Sequence, residues 1–166
     1  MIRSLLFMLF FLSSGIALAD AQVNIIGNIV IPSCTINNGQ NIVVDFGNVN
    51  PEAVDNSSGG VTKTISISCP YNSGTPYVKV TGSAMGQADN VLATNLSNFG
   101  IALYQGEDTS TKLILGEGAG NGYIVSSGID TALSTFTFTS VPFRNGNAAL
   151  GGGSFQTTAN MSIIYN

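Results

Sequence analysis

The sequence predicts an all-β sandwich, and three observations predict it. The apolar runs are short and separated by turn signals, with no stretch of helical periodicity longer than about ten residues. Charged residues are scarce, Trp and His are absent, and Gly, Ser, Thr and Asn are abundant, which is the composition of strands joined by turns and solvated by neutral polar groups. Residues 153–166 alternate by face: Phe155, Thr157, Ala159, Met161, Ile163 and Tyr165 share one side of a strand, with Gln156, Thr158, Asn160 and Ser162 on the other, because successive strand side chains point to opposite faces. This core-facing strand is expected to be the last element. Its free hydrogen-bonding edge is then open to pairing with a strand from elsewhere.

Taken in order, the chain begins with Arg3, an apolar run over residues 5–12, small residues, and Ala17-Leu18-Ala19, the three regions of a secretory signal peptide. Cleavage is expected after Ala19, with Ala21 as the second choice. The run is too short to span a bilayer, and no second long apolar run suggests a membrane anchor. Candidate strands follow at 23–36, 41–46, 61–69, 77–81, 99–104, 112–115, 134–143 and 155–165. They are interrupted by Asn37-Asn38-Gly39, by the Asn, Ser and Gly of 56–60, by Asn72-Ser73-Gly74, by the Gly-rich 116–122 and by Asn145-Gly146-Asn147. The regular spacing argues for a sandwich of immunoglobulin-like architecture in a single domain, without internal repeats.

Composition excludes several functions. Once Arg3 is removed, Lys63, Lys79, Lys112 and Arg144 stand against nine acidic residues, so nucleic acid, which needs clustered Lys and Arg, is not an expected partner. Without His the chain lacks the usual general base and the commonest metal ligand. No Ser has a His to activate it, and no cofactor, metal or small-molecule substrate is expected. The loop from Gly116 to Gly122 lacks the Lys and the helix of a phosphate cradle. Glu107-Asp108 sits between Gly106 and Thr109-Ser110 as a solvated hairpin tip. The three Asn-x-Ser sequons at Asn56, Asn95 and Asn160 are read as chance matches in a Ser- and Asn-rich chain. Cys34 and Cys69, in an exported chain, are expected to form a disulfide, stabilising the fold by roughly 3 to 4 kcal/mol on the chain-entropy model.

The segment after the signal places Ala21, Val23 and Ile25 on one face with polar residues between, and Gly27 interrupts it before Ile29-Val30-Ile31. It can be read as one long first strand bent at a glycine, or as a free segment able to fill an open edge on another chain.

The sequence resembles the pilins of the chaperone–usher pathway of Gram-negative bacteria, and among them the minor tip-adaptor subunits. The resemblance runs through the segments 31–40 (Ile-Pro-Ser-Cys-Thr-Ile-Asn-Asn-Gly-Gln), 43–52, 65–71, 99–106, 134–146 and 157–166, with Gly153 fourteenth from the C-terminus and Tyr165 penultimate. It implies an immunoglobulin-like sandwich lacking its last strand, completed by a strand from a chaperone or from a neighbouring subunit. It divides the chain into a signal peptide (1–19), an N-terminal donor-strand extension (20–27) and a pilin domain (28–166). Ala21, Val23 and Ile25 become the donor side chains. Gly153, Phe155, Thr157, Ala159, Met161, Ile163, Tyr165 and Asn166 become the strand beside the acceptor groove, with the Asn166 carboxylate held by basic residues of the chaperone. The implied partners are a periplasmic chaperone, an outer-membrane usher, an adhesin and the adjacent tip-fibrillum pilin. The implied location is the fimbrium on the cell surface, reached through the periplasm. A shaft or terminator pilin is the alternative within the family. Outside it stands a self-contained secreted glycan-binding sandwich, for which Tyr71, Tyr77, Tyr104 and Tyr123 would be the candidate contacts.

Overall fold

The computed structural model describes residues 21–30, 34–70, 76–116, 129–130 and 134–165. The expected signal peptide, Tyr71, Tyr123 and Asn166 lie outside them. The chain divides into two units, Met1–Val30 and Ile31–Asn166.

In the first unit, residues 21–30 form no strand and are exposed throughout. Among the described residues of the expected strand over 23–36, strand structure is present at Thr35–Ile36, as β1. The physical reason lies in the apolar alternation of 21–30. It specifies a strand able to bury one face, and within this unit Val23, Ile25 and Ile29 remain 79%, 93% and 98% exposed.

The second unit is a β-sandwich. Its larger sheet contains β1, β2 (Val61–Ser68), β4 (Ala84–Met85), β5 (Ala88–Ala93), β6 (Phe99–Gln105), β7 (Ile129–Asp130) and β8 (Thr135–Arg144). The spatial order is β1-β2-β8-β6-β5-β4, and β7 continues along β8 where β6 stops. The smaller sheet pairs β3 (Pro76–Gly82) with β9 (Ala159–Tyr165) in antiparallel register from Pro76↔Tyr165 to Gly82↔Ala159. Between the sheets lies the core that the alternation predicts. Ile65 and Ile67 of β2, Phe99, Ile101 and Leu103 of β6, and Phe136 and Phe138 of β8 meet Val78, Val80 and Ile163 of the smaller sheet. On the face of β2 and β8 turned away from that core, Thr62–Thr139 and Thr64–Thr137 bond across the strands at 2.8 and 2.9 Å, the favourable cross-strand pairing of hydroxyls.

Four expectations change. The expected strand at 112–115 is a strap that joins the sheets. Leu113 N–H donates to Leu103 O at 2.9 Å, Leu115 N–H to Asp89 O at 2.7 Å and Gly116 N–H to Val80 O at 2.9 Å, while the Leu113 side chain is fully buried. The expected strand at 41–46 is extended and alternates in burial but joins no ladder, and the expected strand at 155–165 is paired only from Ala159 onward. Strand β5 was not expected. Its sequence Ala-Asp-Asn-Val-Leu-Ala is poor in strand formers, and its alternation is erased because Asn90, Val91 and Leu92 are all buried. Asn90 is accommodated by donating its side-chain amide to Leu103 O at 2.9 Å.

The disulfide joins Cys34 to Cys69 across a separation of 35 residues, as expected. It ties the approach to β1 to the residue after β2, the strand with which β1 pairs.

Candidate functional site

At one end of the sandwich a cleft of about 620 Å³ opens between two extended segments, with Val44, Phe46, Val54, Leu96, Phe99 and Phe155 among its lining. One wall is residues 41–49. Ile42, Val44, Phe46 and Val49 turn inward against the core, while Val43 and Asp45 face solvent. The other wall is residues 150–157, from which Leu150 and Phe155 turn inward. The Phe155 ring bridges the walls, 4.7 Å from the Phe99 ring in an edge-on contact and 6.1 Å from that of Phe46. Neither segment belongs to a ladder among the described residues. The cleft is therefore apolar at its floor and lined by main chain without strand partners, and unpaired buried main-chain groups are costly.

Local chemistry fixes both walls. On the first, Asn50 accepts from Glu52 N–H at 3.0 Å and caps a short 3-10 helix, Pro51–Ala53. The Arg144 guanidinium donates to Pro51 O. Asp55 accepts from the N–H groups of Ser57 and Ser58 at 2.9 and 2.7 Å, and those bonds hold its carboxyl well below the usual carboxylate range. Asn56, in the left-handed region at φ +66°, bonds both main-chain groups of Arg144: its amide donates to Arg144 O at 3.1 Å and its carbonyl accepts from Arg144 N–H at 2.6 Å. Pairing of β2 with β8 ends at Val61↔Ser140, so the Asn56 side chain acts as the β8 partner two residues past Pro142. Proline is tolerated there because its missing donor points to an edge that β2 has already left.

On the second wall, Gly153 begins the extended run at φ +143°. Asn95, in the loop between β5 and β6, donates to Ser154 O at 3.1 Å and accepts from Gln156 N–H at 2.8 Å. The Thr157 hydroxyl donates to Ala93 O at 2.7 Å.

Of the residues singled out in the sequence, Phe155, Thr157 and Met161 are half-buried and Ile163 is buried, on one face of the 153–165 run; Ala159 and Gly153 are exposed. Tyr165 closes β9 opposite Pro76. Ala21, Val23 and Ile25 are exposed in the first unit. Ile29, on the same odd-numbered face beyond Gly27, is exposed as well. Sequence reasoning missed 41–49 as a wall of the cleft, although the alternation of Ile42, Val44 and Phe46 signalled one. Val54, Leu96 and Asn95 carried no periodic signal. Among the described residues no group of His, Cys, Asp and Glu could hold a metal ion.

The class of molecule follows from this geometry: a two-sheet sandwich in which, among the described residues, no strand lies between segment 41–49 and the run that leads into β9. Comparison with known proteins agrees. The model of the fimbrial protein family matches residues 23–166. The chain is 69% identical to the fimbrial adapter PapF of Escherichia coli and 67% identical to the minor fimbrial protein PrsF of the same organism, each over 100% of both chains. Among solved structures, that of the P pilus adaptor subunit PapF, described for its polymerization reactivity, is 62% identical, with a TM-score of 0.63 over 84% of this chain and 100% of the other. The P pilus rod subunit PapA, 18% identical, shares the fold with a TM-score of 0.63 over 87% of this chain and 100% of its own. The chain belongs to the fimbrial protein family: it is a minor fimbrial subunit of the adaptor type, an immunoglobulin-like sandwich lacking a strand and a component of surface pili.

Proposed function

We propose that this subunit joins the adhesin of a chaperone–usher pilus to the tip fibrillum by donor-strand exchange and performs no catalysis. The observation that carries the reading is the 153–158 segment, extended, with Phe155 and Thr157 turned inward, yet without a main-chain partner among the described residues. An incoming strand between this segment and 41–49 would bury the apolar floor and pair both walls. In the periplasm that strand comes from the chaperone, which also holds the C-terminal carboxylate of Asn166; at the usher it is replaced by the extension of the next fibrillum subunit. At its other end, residues 20–27 fill the groove of the adhesin, with Ala21, Val23 and Ile25 as donors. Burial of Val23 and Ile25 stabilises the joint by about 1.5 to 3 kcal/mol each.

The experiment is Val23→Asp with Ile25→Asp in a strain that assembles the pilus. The variant should remain in its chaperone complex, since that contact lies at the groove, while pili lose the adhesin, because carboxylates cannot be desolvated in an apolar pocket. Normal display of adhesin by the double variant would defeat the donor assignment. A shaft role would instead show as many copies per pilus, counted by quantitative mass spectrometry.

A further inference from the structure

The second wall of the cleft is held in a way that differs from the rest of the sandwich. From Ala159 onward β9 is paired by β3, whose last residue in register is Gly82. Residues 154–157 lie beyond that partner, and what takes its place are side chains and a loop. The Asn95 carboxamide presents a carbonyl and an amide at the spacing of a peptide group, and it meets Gln156 N–H at 2.8 Å and Ser154 O at 3.1 Å. The Thr157 hydroxyl adds a bond to Ala93 O. Along an extended chain, the N–H and C=O of one residue point to one edge and those of the next residue to the other. With the groups of 154 and 156 directed to Asn95, those of Phe155 and Thr157 are directed to the opposite edge, over the cleft.

Asn95 is itself firmly placed. Thr94 Oγ1 donates to Phe99 O at 2.7 Å and accepts from Leu96 N–H at 3.1 Å, closing the loop on both sides of Asn95. Asn145 N–H donates to Asn98 O at 3.0 Å, fastening the loop to the end of β8. The same loop supplies Leu96 to the cleft lining.

We propose that Asn95 is a positioning residue for strand capture: its carboxamide stands in for the missing β3 partner, keeps 154–156 extended, and turns the main chain of Phe155 and Thr157 toward the edge where an incoming strand docks. The inference rests on the acceptor reading above. Its physical basis is preorganisation, since a segment already held in strand geometry loses less conformational freedom when it is paired.

The test uses the full mature subunit in its chaperone complex, challenged with a synthetic peptide of the neighbouring fibrillum subunit's N-terminal extension. Peptide capture and chaperone release are followed in time, and the melting midpoint of the peptide-filled product is recorded separately. Asn95→Ala should slow capture about tenfold while the filled product melts within a few degrees of wild type, because the new strand then fixes the segment itself. Asn95→Asp, which keeps the acceptor for Gln156 N–H and loses the donor to Ser154 O, should fall between the two; it also carries the test if Asn95→Ala yields no complex. Capture by either variant at the wild-type rate, or slowing only in proportion to a lower melting midpoint, would overturn the proposal. A wild-type complex that captures no peptide would overturn the acceptor reading, a result distinct from wild-type capture with unchanged variants.

Discussion

Gly100 and Gly153 show two different reasons for a glycine. A Cβ on Gly100 would stand 2.7 Å from Val91 Cγ1, 2.8 Å from Leu92 O and 2.9 Å from Met85 Sδ, so the obstacle is space, part of it rigid backbone. Gly100→Ala should lower the stability of the strand-filled subunit by about 1 to 3 kcal/mol, read from chemical denaturation. At Gly153 a Cβ would meet only Leu96 Cδ2, at 3.7 Å, and the obstacle is φ at +143°. Gly153→Ala should therefore cost a similar 1 to 3 kcal/mol through backbone strain alone, and Gly153→Ser no more than Gly153→Ala. Asp55 gives a pH dependence of definite sign. Its folded carboxyl lies below the ordinary range because the Ser57 and Ser58 N–H groups bond the charged form. Its stabilising contribution is present in full above the unfolded Asp value of about 3.9 and disappears as pH falls through the lower folded value. A carboxyl-carbon NMR titration should find the Asp55 midpoint below that ordinary value, and Asp55→Asn should make the turn's amide protection independent of pH in this window.

At the scale of elements, the long, strongly alternating strands were legible in the sequence to within a residue or two: 61–69 against Val61–Ser68, 77–81 against Pro76–Gly82, 134–143 against Thr135–Arg144. So was the disulfide, from two cysteines in an exported chain. What stayed hidden was set by tertiary contacts. Strand β5 is buried on both faces and shows no alternation, and 112–115 has the apolar pattern of a strand although its partners belong to two different sheets. The stand-in role of Asn56 was equally illegible, because Asn in a Gly- and Ser-rich stretch signals a turn and says nothing of a strand 88 residues away. Asn56→Ala removes two bonds to the Arg144 main chain and should cost about 1 to 3 kcal/mol. Hydrogen exchange should show the loss as earlier opening at Arg144, with little change at the centre of β8.

For the whole molecule, a cleft with an apolar floor, edged by segments that have no strand partner among the described residues, predicts that the second unit is poorly stable until a strand is added. Expressed without a chaperone, the mature chain should aggregate or be degraded, and co-expression should restore a soluble complex; a cooperatively unfolding free monomer, measured by calorimetry, would contradict this. Cys34→Ser should lower folding yield in the same assay, in keeping with about 3 to 4 kcal/mol for a loop of 35 residues. The strap at 112–116 carries a further consequence. A two-stranded sheet is marginal by itself, and Leu115 and Gly116 couple the β3 side of the smaller sheet to β5 and to the strap; the β9 side has no such tie among the described residues and, on the acceptor proposal, is secured by the strand that docks along the run leading into it. The fold is thus hinged in kinetic terms. With the cleft empty, local opening should begin at β9 and spare β3, so that proteolysis of the unfilled subunit releases a C-terminal fragment first, and filling the cleft converts the least durable edge of the protein into one that opens only with the whole.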